Sequence, residues 1–419
     1  MRLLSAGGLM YAACAVFAVV YFGLAVGRLP FLRLDRAGIA LVGATAMLVL
    51  DVVGFDEAVA VIDYRTLALL FGMMLVVAYL RVGGFFRTLA AWLLDHARSP
   101  HGVLVTVIAF AGVLSTILVN DVVCLALGPI VIRLARRIRR DPVPYLVGLA
   151  TAANIGSVAT ITGNPQNMIV GSFSGISYSA FAARLAPIAA VGLIIDYAVI
   201  ALAFRGVLGR EVDPPPGSEN LREPFGDAET ELLPKGVAVL AASVALFFVG
   251  APTALVALGA AALIMLGRVV PAKLYAQVDW SLLVMFAALF VVVHGFESHF
   301  VARFDLARVA AAQRAPDLEI AATSAALSNL VSNVPAVLLL KSGVSALAPA
   351  ARANAWLSVA MSSTLSGNLT PIASIANLIV IEGARREGVE VRFGAYCKVG
   401  IPVTLISLGT GVLWLAHMR

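Results

Sequence analysis

Between Thr151 and Gly171 the chain reads TAANIGSVATITGNPQNMIVG, which sets four carboxamides (Asn154, Asn164, Gln166, Asn167), three glycines and a proline inside a long apolar run. In hydrocarbon every backbone polar group needs a partner, so Gly-Asn-Pro at membrane depth survives only where backbone lines a cavity inside protein. Interrupted helices of this kind hold substrates and ions: freed carbonyls suit a hard cation, and half-helix N-termini suit an anion. A second stretch, GNLTPIASIANLIV (367–380), follows the same plan: an Asn, small and hydroxyl residues, then an Asn before an apolar run. Set side by side, Asn154 pairs with Asn368, Thr160 with Ser374 and Asn167 with Asn377. The polar groups offered for coordination are Asn154, Thr160, Thr162, Asn164, Asn368, Thr370 and Ser374. The competing reading is that these amides only cap helix ends or join helices. The doubling of the pattern favours a site.

Two further apolar segments, 101–135 and 317–349, are interrupted at Val119-Asn120-Asp121 and at Ser332-Asn333-Val334-Pro335. Each half is about 15–18 residues, short for a hydrocarbon core of about 30 Å at 1.5 Å per residue. Re-entrant hairpins with polar tips at mid-membrane fit these lengths; two short helices and a loop are the alternative. An aspartate at such a tip is costly unless it is paired, hydrated or protonated. Asp121 therefore either shares a cation with Asn120 and Asn164 or carries a proton. The second hairpin has Ser332 and Asn333 and no acid, so the halves are chemically unequal. Asp196, in GLIIDYAVI, is a second intramembrane acid that either relays protons or pairs with a neighbouring helix.

The elements that must position these groups follow from composition. Of 419 residues, 61% are hydrophobic and 13% charged, with a mean hydropathy of +0.95; a soluble surface needs about 25% charged residues. The expectation is an all-α polytopic membrane protein of two inverted repeats, each with about five spanning helices and one re-entrant hairpin. Spans are expected at 9–27, 38–54, 65–82, 144–173, 179–205, 235–250, 252–267, 280–296, 352–383 and 396–416. Residues 1–205 form the first repeat, with hairpin 101–135 and broken helix 144–173. Residues 206–234, with three consecutive prolines, read as a cytoplasmic linker. Residues 235–419 form the second repeat, with hairpin 317–349 and broken helix 352–383. An odd number of crossings per half inserts the second half upside down. Stretches 84–98 and 298–314 read as interface-lying amphipathic helices.

The net charge of +6 resides in short loops and is a topology signal, not a nucleic-acid one. Arg28, Arg33, Arg36, the RLARRIRR cluster (133–140), Arg385 and Arg386 define one face, and Asp51, Asp56, Glu57 and Asp63 the other. The positive-inside rule puts both termini outside, in a bacterial-type cytoplasmic (inner) membrane. Residues 9–27 precede a basic loop and read as a first span, not a removed signal peptide. Cys14, Cys124 and Cys397 suggest no disulfide or metal site. His294, Glu297 and His299 lack further ligands at suitable spacing, so no metal is expected. No nucleophile–base constellation or nucleotide-binding motif is present, so the chain reads as a non-enzyme without a cofactor. Its energy would come from a sodium or proton gradient or from an ATPase partner subunit.

LVNDVVCLALGPIVIRLA (118–135) resembles the first hairpin of ArsB-type arsenite permeases, LSNLVSNVPAVLLL (327–340) is similar to their second, and GNLTPIASIANLIVI (367–381) to their second broken helix. NIGSVATITGNPQN resembles the broken helix of the P-protein and anion-permease branch. These belong to the ion transporter superfamily, with the sodium–dicarboxylate symporters and NhaD-type antiporters. The resemblance implies a scaffold that forms a homodimer and a transport domain that slides like an elevator. It implies sites at Asn120 and Asp121 with Gly163, Asn164 and Pro165, and at Ser332, Asn333 and Pro335 with Gly367, Asn368, Thr370 and Pro371. Dicarboxylate members carry Ser-Asn-Thr at the hairpin tips; Val-Asn-Asp and Ser-Asn-Val here depart from that.

The function expected first is ion-coupled efflux of arsenite, antimonite or a related small oxyanion. Arsenite is a neutral trihydroxy species at neutral pH, which Asn and Ser/Thr hydrogen bonds suit. Next come a sodium- or proton-coupled symporter of an inorganic or carboxylic anion, a sodium/proton antiporter using Asp121 and Asp196, and a passive channel. No Arg or Lys lies within the breaks, so an anion would rely on helix N-termini. Cys124, beside the hairpin tip, raises a thiolate–arsenic bond that one cysteine would form poorly.

Overall fold

The computed structural model describes residues 5–26, 34–96, 99–212, 230–267, 269–303 and 316–418. Twenty α-helices and no strands occur among the described residues. They are α1 (Ala6–Val26), α2 (Arg36–Val49), α3 (Phe55–Val61), α4 (Tyr64–Val82), α5 (Phe85–His96), α6 (Pro100–Ile117), α7 (Asn120–Arg137), α8 (Val143–Ser157), α9 (Pro165–Ser174) and α10 (Tyr178–Ala203). There follow α11 (Arg205–Leu208), α12 (Leu233–Val249), α13 (Thr253–Met265), α14 (Pro271–Tyr275), α15 (Trp280–His299), α16 (Pro316–Val331), α17 (Asn333–Ala346), α18 (Pro349–Leu365), α19 (Ile375–Arg386) and α20 (Phe393–His417). The protein is an integral membrane protein, and six of these helices are long and apolar enough to cross a membrane.

Local chemistry sets where the helices start. Asp35, Asp63 and Asp279 cap α2, α4 and α15, each accepting a backbone N–H from the first turn. Ser99 caps α6 ahead of Pro100, and Asn164 caps α9 ahead of Pro165, where the missing proline N–H costs nothing. Gly175, at φ +67, closes α9 in a left-handed conformation that a side chain would strain.

The helices sort into two packed groups. In the frame, α4 lies on α13 and α2 on α15, with α1 packed on α2 and α15 and α12 on α13 and α4. In the core, α6 and α7 pack on α8, α16 and α17 pack on α18, and α10 lies against α20. The α6–α8 approach is close because Gly156 faces Gly112; a Cβ at position 156 would run into the Gly112 backbone. Arg136 marks one face of the molecule, donating to the Glu387 carbonyl at 2.7 Å with its guanidinium 3.8 Å from the Glu387 carboxylate. On the opposite face Glu57 meets His294 at 2.8 Å and Ser342 donates to Glu297.

Every expected span corresponds to described helices, the broken spans being α8 with α9 and α18 with α19. Segments 101–135 and 317–349 each form a helix pair, α6 with α7 and α16 with α17, and α6 is itself one of the six helices long enough to cross. The break at 119–121 lies at Leu118–Val119, and Asn120 already begins α7. In the linker (206–234), 206–208 and 230–232 are helical, 233–234 already open α12, and 213–229 lie outside the described residues. Of the amphipathic stretch 298–314, residues 304–314 also lie outside them, and α15 runs on to His299.

Candidate functional site

Asn154 is the junction of the core. Its Oδ1 accepts from Asn120 Nδ2 at 2.8 Å and from Ser374 Oγ at 3.2 Å. Its Nδ2 donates to Asn368 Oδ1 at 2.8 Å and to Asn377 Oδ1 at 3.0 Å. One side chain on α8 thus joins the first hairpin tip to both ends of the second break. Asn368, in a short 3-10 turn, also donates to the Thr151 carbonyl at 3.2 Å.

The two breaks are braced by the same bonds. Asn167 Nδ2 donates to the carbonyls of Ser157 (3.0 Å) and Thr160 (2.9 Å); Asn377 Nδ2 donates to those of Gly367 (2.7 Å) and Thr370 (3.1 Å). Asn164 Nδ2 reaches Thr364 Oγ1 at 3.2 Å, as Ser374 Oγ reaches Asn154 Oδ1 at 3.2 Å. Thr364 Oγ1 stands 3.5 Å from Asn167 Oδ1, as Asn154 Nδ2 stands near Asn377 Oδ1. This register differs from the one read off the sequence. Asn167 does answer Asn377, but Asn154 answers Thr364 instead of Asn368, and Thr160 answers Thr370 instead of Ser374. Counting back from the two closing asparagines without a gap would have found Thr364.

The hairpin tips present buried polar atoms that nothing in the protein satisfies. They are Ser115 Oγ and Asn120 Oδ1 in the first hairpin and Ser328 Oγ and Asn333 Oδ1 in the second, five residues apart in each. A polar atom left unpaired at such depth is costly, and its recurrence at matching places points to a bound group. The second tip comes close to Asn154, to which the first tip is bonded through Asn120. A point beside the Cα of Gly367 lies 3.5 Å from Asn333 Nδ2 and 3.8 Å from Asn154 Nδ2. Ser332, which precedes α17, holds φ 76 and ψ 159, a conformation that strains any residue but glycine. Pro335 gives its carbonyl to the Tyr21 hydroxyl of α1 at 3.1 Å, a contact between core and frame.

Around the first break Thr160 donates to the Thr116 carbonyl, and Thr162 shares a 2.7 Å bond with the Tyr178 hydroxyl. Gly163 packs on the Ser157 backbone with no room for a side chain. Pro371 lies between the 3-10 turn at 366–368 and α19. A cavity of about 640 Å³ between frame and core reaches Ser328, Ser332 and Ala373, and it also contains Asp35, Arg36 and Asp279. A second, of about 610 Å³, abuts Ile161 and Met168 at the first break, where Tyr178 stands between it and Thr162.

Asp121 is not brought to Asn164. It lines a separate cavity of about 130 Å³ with Arg81, Gln277 and Asp279, where core meets frame, and Asn164 is not among its walls. Asp196 is fully buried in α10, and neither of its oxygens has a hydrogen-bond partner. Cys124 is buried beside the first tip. No group of three His, Cys, Asp or Glu among the described residues is placed to hold a metal ion. Sequence reasoning missed Ser115, Ser328, Tyr178 and Thr364, which accepts from Gln166 at 3.1 Å. Hydroxyls are too common in apolar helices to stand out without knowing which face they share.

Residues 21–365 match the model of a family described as citrate transporters, CitMHS. The silicon efflux transporter LSI3 of rice is 30% identical, over 94% of this chain and 95% of its own length. An uncharacterized transporter of Mycobacterium tuberculosis is 29% identical over 96% of this chain and 98% of its length. The arsB protein of Dictyostelium discoideum, described as a candidate transporter, is 25% identical over 96% and 91%. Among solved structures, the YdaH transporter of Alcanivorax borkumensis superposes with a TM-score of 0.60 at 15% identity, covering 98% of this chain and 97% of that one. MtrF of Neisseria gonorrhoeae does so with 0.62 at 12% identity, covering 99% and 95%. These two likenesses are of fold.

Proposed function

The chain belongs to the citrate transporter family, and we propose that this secondary transporter moves a small metalloid hydroxide such as arsenite, antimonite or silicate out of the cell against entry of an ion. The observation that carries the proposal is the set of unpartnered acceptors at the tips, Asn120 Oδ1 and Asn333 Oδ1, each five residues after a buried serine whose hydroxyl is also unpartnered. A neutral trihydroxy or tetrahydroxy acid brings O–H donors to such acceptors. A citrate-like trianion brings three charged carboxylates and a single hydroxyl donor, and the adjoining cavity offers it Arg36 against Asp35 and Asp279. The name of the rice relative, a silicon efflux transporter, supports the same class of cargo. The family's description favours a second reading, coupled uptake of a carboxylic anion. In that case the half-helix N-termini would have to hold the charge.

The two groups of helices support an elevator-like movement. The frame stays fixed and pairs with a second copy, and the core slides past it, carrying both breaks and both tips. The two halves are inverted repeats, supported by the matching bonds of Asn167 and Asn377. In the conformation described, the cavity at Ser332 gives the site its access from the frame–core boundary. The test is flux in proteoliposomes with arsenite, antimonite, silicate, citrate and succinate under separate sodium and proton gradients. Coupled movement of the metalloid acids supports the reading; coupled movement of citrate alone would replace it with the second.

A further inference from the structure

The transport reading leaves one buried acid unused. Asp196 is 0% exposed, both carboxyl oxygens are unpartnered, and no salt bridge reaches it among the described residues. Every basic group on the elements around it is committed or distant. On α10 itself Arg184 donates to the Met418 carbonyl at 3.0 Å, and on α20 Lys398 donates to Ala203 at 2.7 Å. On α6 His101 meets the Tyr197 hydroxyl at 3.3 Å, on the exposed side. Lys235 of α12 donates to Leu266 at 2.6 Å and Arg352 of α18 to Leu347 at 2.7 Å, while Arg205 of α11 is exposed. Tyr145 stands at the far end of α8, near Arg140 and Asp141.

Two protic groups do face the acid. The Thr151 hydroxyl of α8 lies near the carboxyl without a formed hydrogen bond, and the Tyr396 hydroxyl of α20, also buried and unpartnered, lies near it as well. The Thr151 hydrogen, however, is given to the Val147 carbonyl at 2.8 Å. Thr151 Oγ1 therefore offers Asp196 only lone pairs. A carboxylic acid satisfies that arrangement by donating its own hydrogen to Thr151; an ionised carboxylate would be left with no donor. Turning the Thr151 hydroxyl from Val147 to the carboxylate, with the Tyr396 hydroxyl beside it, would serve the ionised form.

The same residues touch the transport site. The carbonyl of Thr151 accepts from Asn368 at 3.2 Å, and Asn368 bonds to Asn154 at 2.8 Å. The Asn368 carbonyl in turn packs against Gly400, one turn along α20 from Tyr396. The asparagine cluster is thus bonded to Thr151 and packed against the turn of α20 that carries Tyr396.

We propose that Asp196 is a proton-binding site carried by the moving core, and that the proton it takes up and releases is the coupling ion, or one of them, for the transport proposed above. The step is a protonation: a hydrogen ion from water on one side converts carboxylate to carboxylic acid, and the reverse returns it to water on the other. No other bond is made or broken. The inference rests on the transport reading, and its test separates the two.

The experiment uses the full-length protein and Asp196→Asn, which keeps the shape and neutrality of the protonated acid. Wild-type flux with the metalloid acids, measured first, decides the transport reading by itself. Infrared spectroscopy of the purified proteins in detergent needs no cargo: the wild type shows a protonated-carboxyl stretch that Asp196→Asn lacks. In proteoliposomes Asp196→Asn retains cargo counterflow, while accumulation driven by a pH gradient falls by roughly a hundredfold, near the top of the range for coupling between two sites. Asp196→Glu restores gradient-driven accumulation with a displaced pH profile, and it serves as the folded control if Asp196→Asn does not assemble. An unchanged infrared spectrum, or wild-type accumulation by Asp196→Asn under a pH gradient, overturns the proposal.

Discussion

Asn154 Nδ2 lies 3.0 Å from Asn377 Oδ1, so a side chain of the first broken helix orients the amide that braces the second. Asn377 then turns its Nδ2 to the carbonyls of Gly367 and Thr370. The two breaks are one structure, and its centre is Asn154. Asn154→Ala leaves Asn120, Asn368, Asn377 and Ser374 each short of a bond. Each buried group so stranded costs about 1–3 kcal/mol. The variant is expected to lose transport and to unfold in detergent at clearly lower temperature; a wild-type melting curve would show that the cluster is not holding the breaks.

Thr364 plays the part of Asn154 in the other half, accepting from Asn164 at 3.2 Å and Gln166 at 3.1 Å. Thr364→Val keeps the shape and removes both bonds. The expected result is cargo affinity weakened by about tenfold, corresponding to the loss of about 1–2 kcal/mol. Thr364→Ser, which keeps the hydroxyl, should recover most of it. Equal affinities for the Val and Ser variants would assign Thr364 to packing.

Gly400 leaves room for the carbonyl of Asn368, and a Cβ there would collide with that oxygen. Gly400→Ala must push α20 away from the second break or shift Asn368. Overpacking of this kind costs about 1–3 kcal/mol. Transport is expected to fall much further than stability, because Asn368 would lose its register with Asn154. Comparing flux with melting temperature checks this.

Far from the site, Glu57 receives a hydrogen bond from His294 at 2.8 Å, which holds its carboxyl below the usual carboxylate range. A carboxyl lowered on folding contributes stability above its unfolded pKa, and this is lost as pH falls through the lowered value. The Glu57 side chain is 51% exposed, so solvent screening keeps the effect below about 1 kcal/mol. Glu57→Gln should flatten the acid side of the melting-temperature profile, leave transport intact, and differ less from wild type in high salt.

Much of this architecture was legible in the residues. Span lengths and the amides inside apolar runs located α8 with α9, α18 with α19 and the helix pairs α6–α7 and α16–α17 within a few residues. The asparagines were legible because a carboxamide in hydrocarbon has few innocent uses. The register between the halves was not: Asn154 and Asn368 look alike in sequence, yet they are partners in a bond and not counterparts. Asp121 was read toward Asn164 because both are polar and lie near breaks. Which side of α7 faces the frame depends on packing with Arg81 and Asp279, far away in sequence. Thr364, Ser115 and Ser328 were hidden for the same reason.

The central claim is that cargo sits between the two hairpin tips, and arsenic can report its own position. Crystals of the protein grown with arsenite, with data collected at the arsenic absorption edge, should show one anomalous peak within hydrogen-bonding distance of Asn120 and Asn333. Asn120→Ala or Asn333→Ala should abolish the peak along with arsenite flux. A peak bonded to the Cys124 sulfur, or no peak at the tips in a protein that demonstrably carries arsenite, would contradict the account.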